Sequence, residues 1–109
     1  MTGIILGKLT DVYLGKRDQM IGLFFTLKGS SYGCSSSIEC WDTEEIVINE
    51  GTKWTEKDRN ESLIKIMREI SRLLKQAKVS NINQLNNIPV GFTIKNNILD
   101  SWRILEEVL

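Results

Sequence analysis

Histidine is missing from the 109 residues, proline occurs once, cysteine twice, and neither sign of charge is in excess. Each absence excludes something. Without histidine there is no Ser–His or Cys–His nucleophile pair and no imidazole metal ligand. Two thiols cannot build a four-thiolate zinc site, so no metal is expected. Acid–base work would fall to carboxylates, lysine or tyrosine, and no acid-pair motif is present. A non-enzymatic protein without a cofactor is expected. Fourteen Lys and Arg balance fourteen Asp and Glu, so net charge gives no nucleic-acid signature. No apolar run approaches the roughly 20 residues of a membrane span. The opening MTGIILGKLT has neither the basic region nor the apolar stretch of a signal peptide. The expectation is a cytoplasmic chain with reduced thiols, folded as one domain over residues 1–109.

What is present reads as a small sheet and one long helix. Residues 4–14 are apolar and β-branched, with Ile5, Leu9 and Tyr13 on one face and Lys8 and Thr10 on the other, a strand pattern. After the polar turn GKRDQ, residues 20–27 set Ile21, Leu23, Phe25 and Leu27 against Met20, Gly22, Phe24 and Thr26. That is a second strand, hairpinned to the first, with Gly22 a candidate bulge. A short third strand runs through Ile38 and Cys40, and a short apolar run at 46–48 is a candidate fourth. Thr55 and Asp58 form a capping-box variant, and Trp54 just before them is a candidate staple residue. Leu63, Ile66, Met67, Ile70, Leu73, Leu74 and Ala77 recur at three and four, the buried stripe of an amphipathic helix over 55–78. Residues 81–87 are a polar connector holding one helical turn around Ile82 and Leu85. Pro89 opens a strand, Asn96-Asn97 is a two-residue turn tolerating positive φ, and residues 89–105 close as a hairpin. The order β-β-β-(β)-α-β-β predicts class α+β, a small antiparallel sheet packed against one long amphipathic helix.

The least ordinary stretch is GSSYGCSSSIECW, residues 29–41. In a reducing compartment its C-x5-C spacing reads as free cysteines rather than a clip. Its serines, glycines and backbone N–H groups suit either a plain loop or a nest for an anion. No lysine-serine pair follows and no helix opens from it, so it is not a phosphate loop of the GxxxxGK[ST] type. Lys65, Arg68, Arg72 and Lys75 form a basic stripe on the helix. Residues 53–78 hold eight basic and four acidic groups, net +4, and residues 39–50 hold five acidic and no basic groups, net −5. The neutral total therefore hides a dipolar molecule. Trp41, beside the serines, is the tryptophan expected to be least buried, whereas Trp102 is expected in the core if Ile104 faces the helix.

The tail, AKVSNINQLNNIPVGFTIKNNILDSWRILEEVL, resembles a family of small phage and prophage accessory proteins with the pattern AKV, L-x-G-x-PVxVTF and LxSWRILTEVL. The matching residues are Ala77-Lys78-Val79, Leu85, Pro89-Val90, Phe92 and Ser101 to Leu105. GLFFTL and KWTEKDR resemble it as well. Asn87 stands where the pattern has glycine. The resemblance implies a phage origin and a role in countering bacterial immunity, either by sequestering a nucleotide signal as a sponge or by binding a host defence protein directly. For a sponge the residues to hold phosphate and stack a base are Lys28, Ser30, Ser31, Tyr32, Ser35, Ser36, Trp41, Arg68 and Arg72. So small a chain offers only a shallow cleft, so a homo-oligomer with the ligand between subunits is expected.

Overall fold

The computed structural model describes residues 3–42 and 55–109. Five strands form a single antiparallel sheet: β1 (Ile5–Arg17), β2 (Met20–Gly29), β3 (Gly33–Trp41), β4 (Pro89–Lys95) and β5 (Ile98–Ile104), in the spatial order β3-β2-β1-β4-β5. One helix, α1 (Glu56–Ala77), crosses one face of that sheet and touches both β3 and β5. The α+β class is as the residue pattern predicts. The candidate strand at 46–48 and the candidate staple residue Trp54 lie outside the described residues.

Period-two alternation sorts the sheet into two faces. Toward the helix point Leu9, Leu23, Phe25, Leu27, Cys40, Val90, Phe92 and Ile104, all buried. Trp102 joins them half-buried, its ring 5.0 Å from that of Phe25. Ile66, Ile70, Leu73 and Ala77 close the core from α1. Met67 does not: it is 62% exposed, with Ile64 beside it at 56%. The helix rests on a narrow stripe, and a residue next to Ile66 in sequence is turned about 100° away from it.

Two features of β1 depart from its sequence pattern. Asp11 sits at φ 52°, and the register with β2 slips between Thr10 and Tyr13. This bulge reverses the alternation, so that Val12 enters the core and Tyr13 turns to the helix-free face. There Tyr13 stacks on Phe24 at 5.1 Å, and the Arg17 guanidinium lies 4.3 Å from the Phe24 ring. Strand β1 also runs on to Arg17, so the first turn is only Asp18-Gln19.

Gly22 marks no bulge. It pairs in register with Glu39, and a Cβ there would lie 2.1 Å from the carbonyl oxygen of Ile38. Close approach of the β3 backbone is what requires glycine at this position.

The ends of α1 are fixed by local chemistry. The Thr55 hydroxyl accepts from the Asp58 N–H at 3.2 Å, and the Asp58 carboxylate accepts from the Thr55 N–H at 2.9 Å, a complete capping box. Those backbone and hydroxyl donors hold the Asp58 carboxyl below its ordinary value. At the other end Lys78 takes a left-handed conformation, φ 59°, and its N–H returns to the carbonyls of Leu74 and Lys75. A 3-10 turn at Ile82–Leu85 follows. It leads to Asn87, whose φ of 72° lies in the left-handed region that asparagine tolerates better than most residues. Asn87 N–H donates to the Leu9 carbonyl and Leu9 N–H to the Ile88 carbonyl, so the connector is stitched to the middle of β1. Asn96 and Asn97 both have positive φ, the geometry of a tight hairpin turn.

Candidate functional site

The stretch first read as a serine-rich loop is mostly strand. From Gly33 onward it pairs with β2 over nine rungs, from Lys28↔Gly33 to Met20↔Trp41. The true turn is Ser30-Ser31, closed by a 2.7 Å hydrogen bond from the Gly29 N–H to the Tyr32 carbonyl. Alternation then divides the serines. Ser36 points to the helix side with Cys34, Ile38 and Cys40, while Ser35 and Ser37 point to the helix-free side with Glu39 and Trp41. Ser35 lies 3.5 Å from the Thr26 hydroxyl across the strand pair.

The candidate residues therefore fall into three places. Lys28, Ser35 and Trp41 rise from the helix-free face. Ser30, Ser31 and Tyr32 form the turn at one end of β3. Arg68 and Arg72 belong to α1, on the other side of the sheet, and Ser36 is half-buried beneath that helix. Tyr32 and Trp41, both about two-fifths exposed, lie at opposite ends of the strand. Nine residues at about 3.3 Å each separate them by roughly 30 Å, too far to hold one base between them within a chain.

The same extended geometry settles the cysteines. Cys34 and Cys40 are free and stand six residues apart on one strand, roughly 20 Å. A disulfide needs Cα atoms within about 7 Å. Burial pushes the Cys34 thiol up; burial, and then the negative charge of Asp42, do the same to Cys40. Neither is an activated nucleophile.

Arg72 instead belongs to a cleft of about 260 Å³ between α1 and β5, floored by Ile38, Leu73, Trp102 and Ile104. Its guanidinium bonds Glu69 at 2.7 Å and Gln76 at 3.1 Å. At the same mouth Arg103 grips Glu107 with two bonds, 2.8 and 3.1 Å. Each carboxylate is held below its ordinary value, first of all by the hydrogen bond from its arginine. Both guanidinium groups are thus engaged by the chain's own acids. Arg103 was not singled out by sequence reasoning; its place in the alternation after Trp102 was the available signal. The Tyr13–Phe24–Arg17 cluster was missed too, because nothing in the pattern announced the bulge that turns Tyr13 outward.

Outside the strands, α1 carries an open apolar recess of about 360 Å³ formed by Leu63, Ile64, Met67, Arg68 and Ser71. A longer groove of about 460 Å³ runs between the outer edge of β3 and α1, lined by Ser37, Ile38, Glu39, Cys40, Ser62, Lys65, Ile66 and Glu69. Among the described residues no helix is long and apolar enough to cross a membrane. No family model, no curated protein and no solved structure matches this chain.

Proposed function

We propose that this chain is a non-catalytic binding protein that captures an anionic nucleotide signal and holds it away from its receptor. The observation that carries the reading is that Lys28, Ser35 and Trp41 all rise from the helix-free face of the sheet, with Lys28 and Trp41 at opposite ends of the β2–β3 ladder, about 26 Å apart within one chain. A cation, a hydroxyl and an exposed indole are the three chemistries a phosphate-bearing base requires. That face is shallow, and ligand pockets usually enclose about 300–1,000 Å³, which supports a site completed by a second copy. The resemblance to small phage proteins supports a role in evading bacterial immunity, in the cytoplasm of the infected cell.

The test is a thermal-shift panel of cyclic di- and trinucleotides and cyclic ADP-ribose isomers. A ligand at a thousandfold excess over Kd stabilises by about 4 kcal/mol. Recovery of the ligand intact supports sequestration, and a consumed ligand makes the protein an enzyme. Trp41→Ala and Lys28→Ala are expected to abolish the shift. Arg72→Ala, on the other side of the sheet, is expected to leave it in place. A panel without a shift sinks the reading.

A second reading, direct binding of a host defence protein, is favoured by Ile64 and Met67. Two large apolar side chains exposed side by side on α1 form the kind of patch that marks protein contacts.

A further inference from the structure

The two outer strands of the sheet are built differently, and the difference concerns β3. Strand β5 is seven residues long, carries Asp100 and Arg103, and is broken by a bulge at Asp100 between the Thr93↔Ser101 and Ile94↔Leu99 rungs. These are the devices that keep a sheet edge from pairing further. Strand β3 has nine residues, Glu39 as its one charge, no proline and an unbroken register with β2. Among the described residues no strand pairs with its outer side.

We propose that the outer edge of β3 pairs antiparallel with β3 of a second copy, about a two-fold axis through Ser37. Ser37 is the midpoint of Gly33–Trp41, so this register uses every rung. It sets Ser37 opposite the partner's Ser37, Ser36 opposite the partner's Ile38, Cys34 opposite the partner's Cys40 and Ser35 opposite the partner's Glu39. The single charge of the strand thus meets a hydroxyl donor rather than its own copy. Both helices fall on the same face, because the register keeps the alternation of each strand. The groove beside the edge bears Lys65 and Glu69, opposite charges that a two-fold can set against each other. The product is a continuous ten-stranded sheet.

This pairing also assembles what one chain keeps apart. On the helix-free face, Lys28 lies next to Gly33, and Gly33 would lie next to the partner's Trp41. Lys28 and the partner's Trp41 then flank the bare glycine across two strand spacings, about 9.6 Å. A base stacked on the indole with its phosphate on Lys28 would span that gap, twice per dimer. The pairing itself is argued from the strand alone; its use as a ligand site rests on the function proposed above.

The experiment replaces Cys34 and Cys40 with serine in the full chain and then introduces Ser37→Cys. Oxidation with copper–phenanthroline is expected to give a covalent dimer on a non-reducing gel. Ser101→Cys on β5, in the same background, is expected to stay monomeric. Light scattering of the wild type at 100 μM is expected to give twice the chain mass, and Ser37→Lys to give the single mass with unchanged circular dichroism. A monomeric wild type, an uncrosslinked Ser37→Cys, or equal crosslinking at Ser101 overturns the pairing. The cyclic nucleotide panel on wild type and Ser37→Lys then separates the two readings. Binding that weakens at least tenfold with loss of the dimer supports the composite site. A dimer that binds nothing refutes the function and leaves the pairing, whereas equal binding by the monomeric Ser37→Lys refutes the composite site.

Discussion

Strands β3 and β5 are the two ends of one sheet under one helix, yet they are held in different ways. Strand β3 rides so close over β2 that a Cβ at Gly22 would strike the Ile38 carbonyl at 2.1 Å. Strand β5 pairs with β4 through the Gly91↔Arg103 rung, yet a Cβ at Gly91 would meet no β5 atom, only the side-chain ends of Ile4, Cγ2 at 3.0 Å, and Leu105, Cδ2 at 3.4 Å, just outside β1 and β5. Outward, the order of rigour is reversed. Strand β5 is guarded by Asp100, Arg103 and its bulge, with the Arg103–Glu107 clasp folded beside it. Strand β3 has one charge and three consecutive serines. The lesson is that an edge can be tightly attached on its inner side and still, among the described residues, be less guarded by charge and bulges on its outer side. Inner fit is set by backbone sterics, whereas outer exposure is set by charge and bulges.

The same substitution at the two glycines is the sharpest way to break this comparison. Gly22→Ala forces backbone apart, at a cost of about 1–3 kcal/mol, each kcal/mol lowering Tm by about 4–8 °C. Gly91→Ala is expected to cost less than about 1 kcal/mol, since side-chain ends can move where a carbonyl cannot. Thermal melts of the two variants read the difference directly; equal losses would mean that both inner contacts are alike.

A smaller effect is expected from Thr55→Ala, which removes the cap of the helix that both edges share, at about 1 kcal/mol. Asp58 adds an acid dependence. Its folded value is depressed, so its contribution is complete above the ordinary carboxyl value of 3.8 and is lost as pH falls through the lower folded value. Urea titrations at pH 7 and below pH 3.8 are expected to show the gap between wild type and Thr55→Ala narrowing in acid. A gap that widens would reverse the assignment.

Smallest in stability, though informative, is Asp100→Ser with Arg103→Ser. Exposed substitutions of this kind usually stay within about 0.5 kcal/mol. Removing the charges is nevertheless expected to open the β5 edge, so that sizing chromatography shows species larger than the wild type at high concentration. An unchanged elution would assign the protection to the bulge alone.

How much of this was legible beforehand can be followed residue by residue. The stripe Ile66, Ile70, Leu73 and Ala77, the capping pair Thr55–Asp58, the alternation of β2 and the Asn96-Asn97 turn are local patterns, and each was readable because its cause lies within a few residues. Met67 was misplaced because the period of a helix gives a stripe but not its width. Tyr13 and Val12 exchanged faces because a single left-handed residue, Asp11, shifts the phase of everything after it. The serine stretch read as loop because serine has low strand preference; pairing with the strongly apolar β2 overrides it. Of the candidate site, Lys28, Ser35 and Trp41 do share a face, whereas Arg68 and Arg72 do not reach it, since sequence spacing does not say on which side of a sheet a helix lies.

By itself, then, the sequence determined the element order, the helix and its cap, the Asn96-Asn97 turn and the apolar residues available for a core, because hydrogen bonding and periodicity act over one to four residues. Only the tertiary structure decided the strand order, the face to which each serine and arginine belongs, the need for glycine at position 22 and the contrast between the two edges. Those depend on which backbones are brought together from far along the chain, and no local pattern encodes that distance.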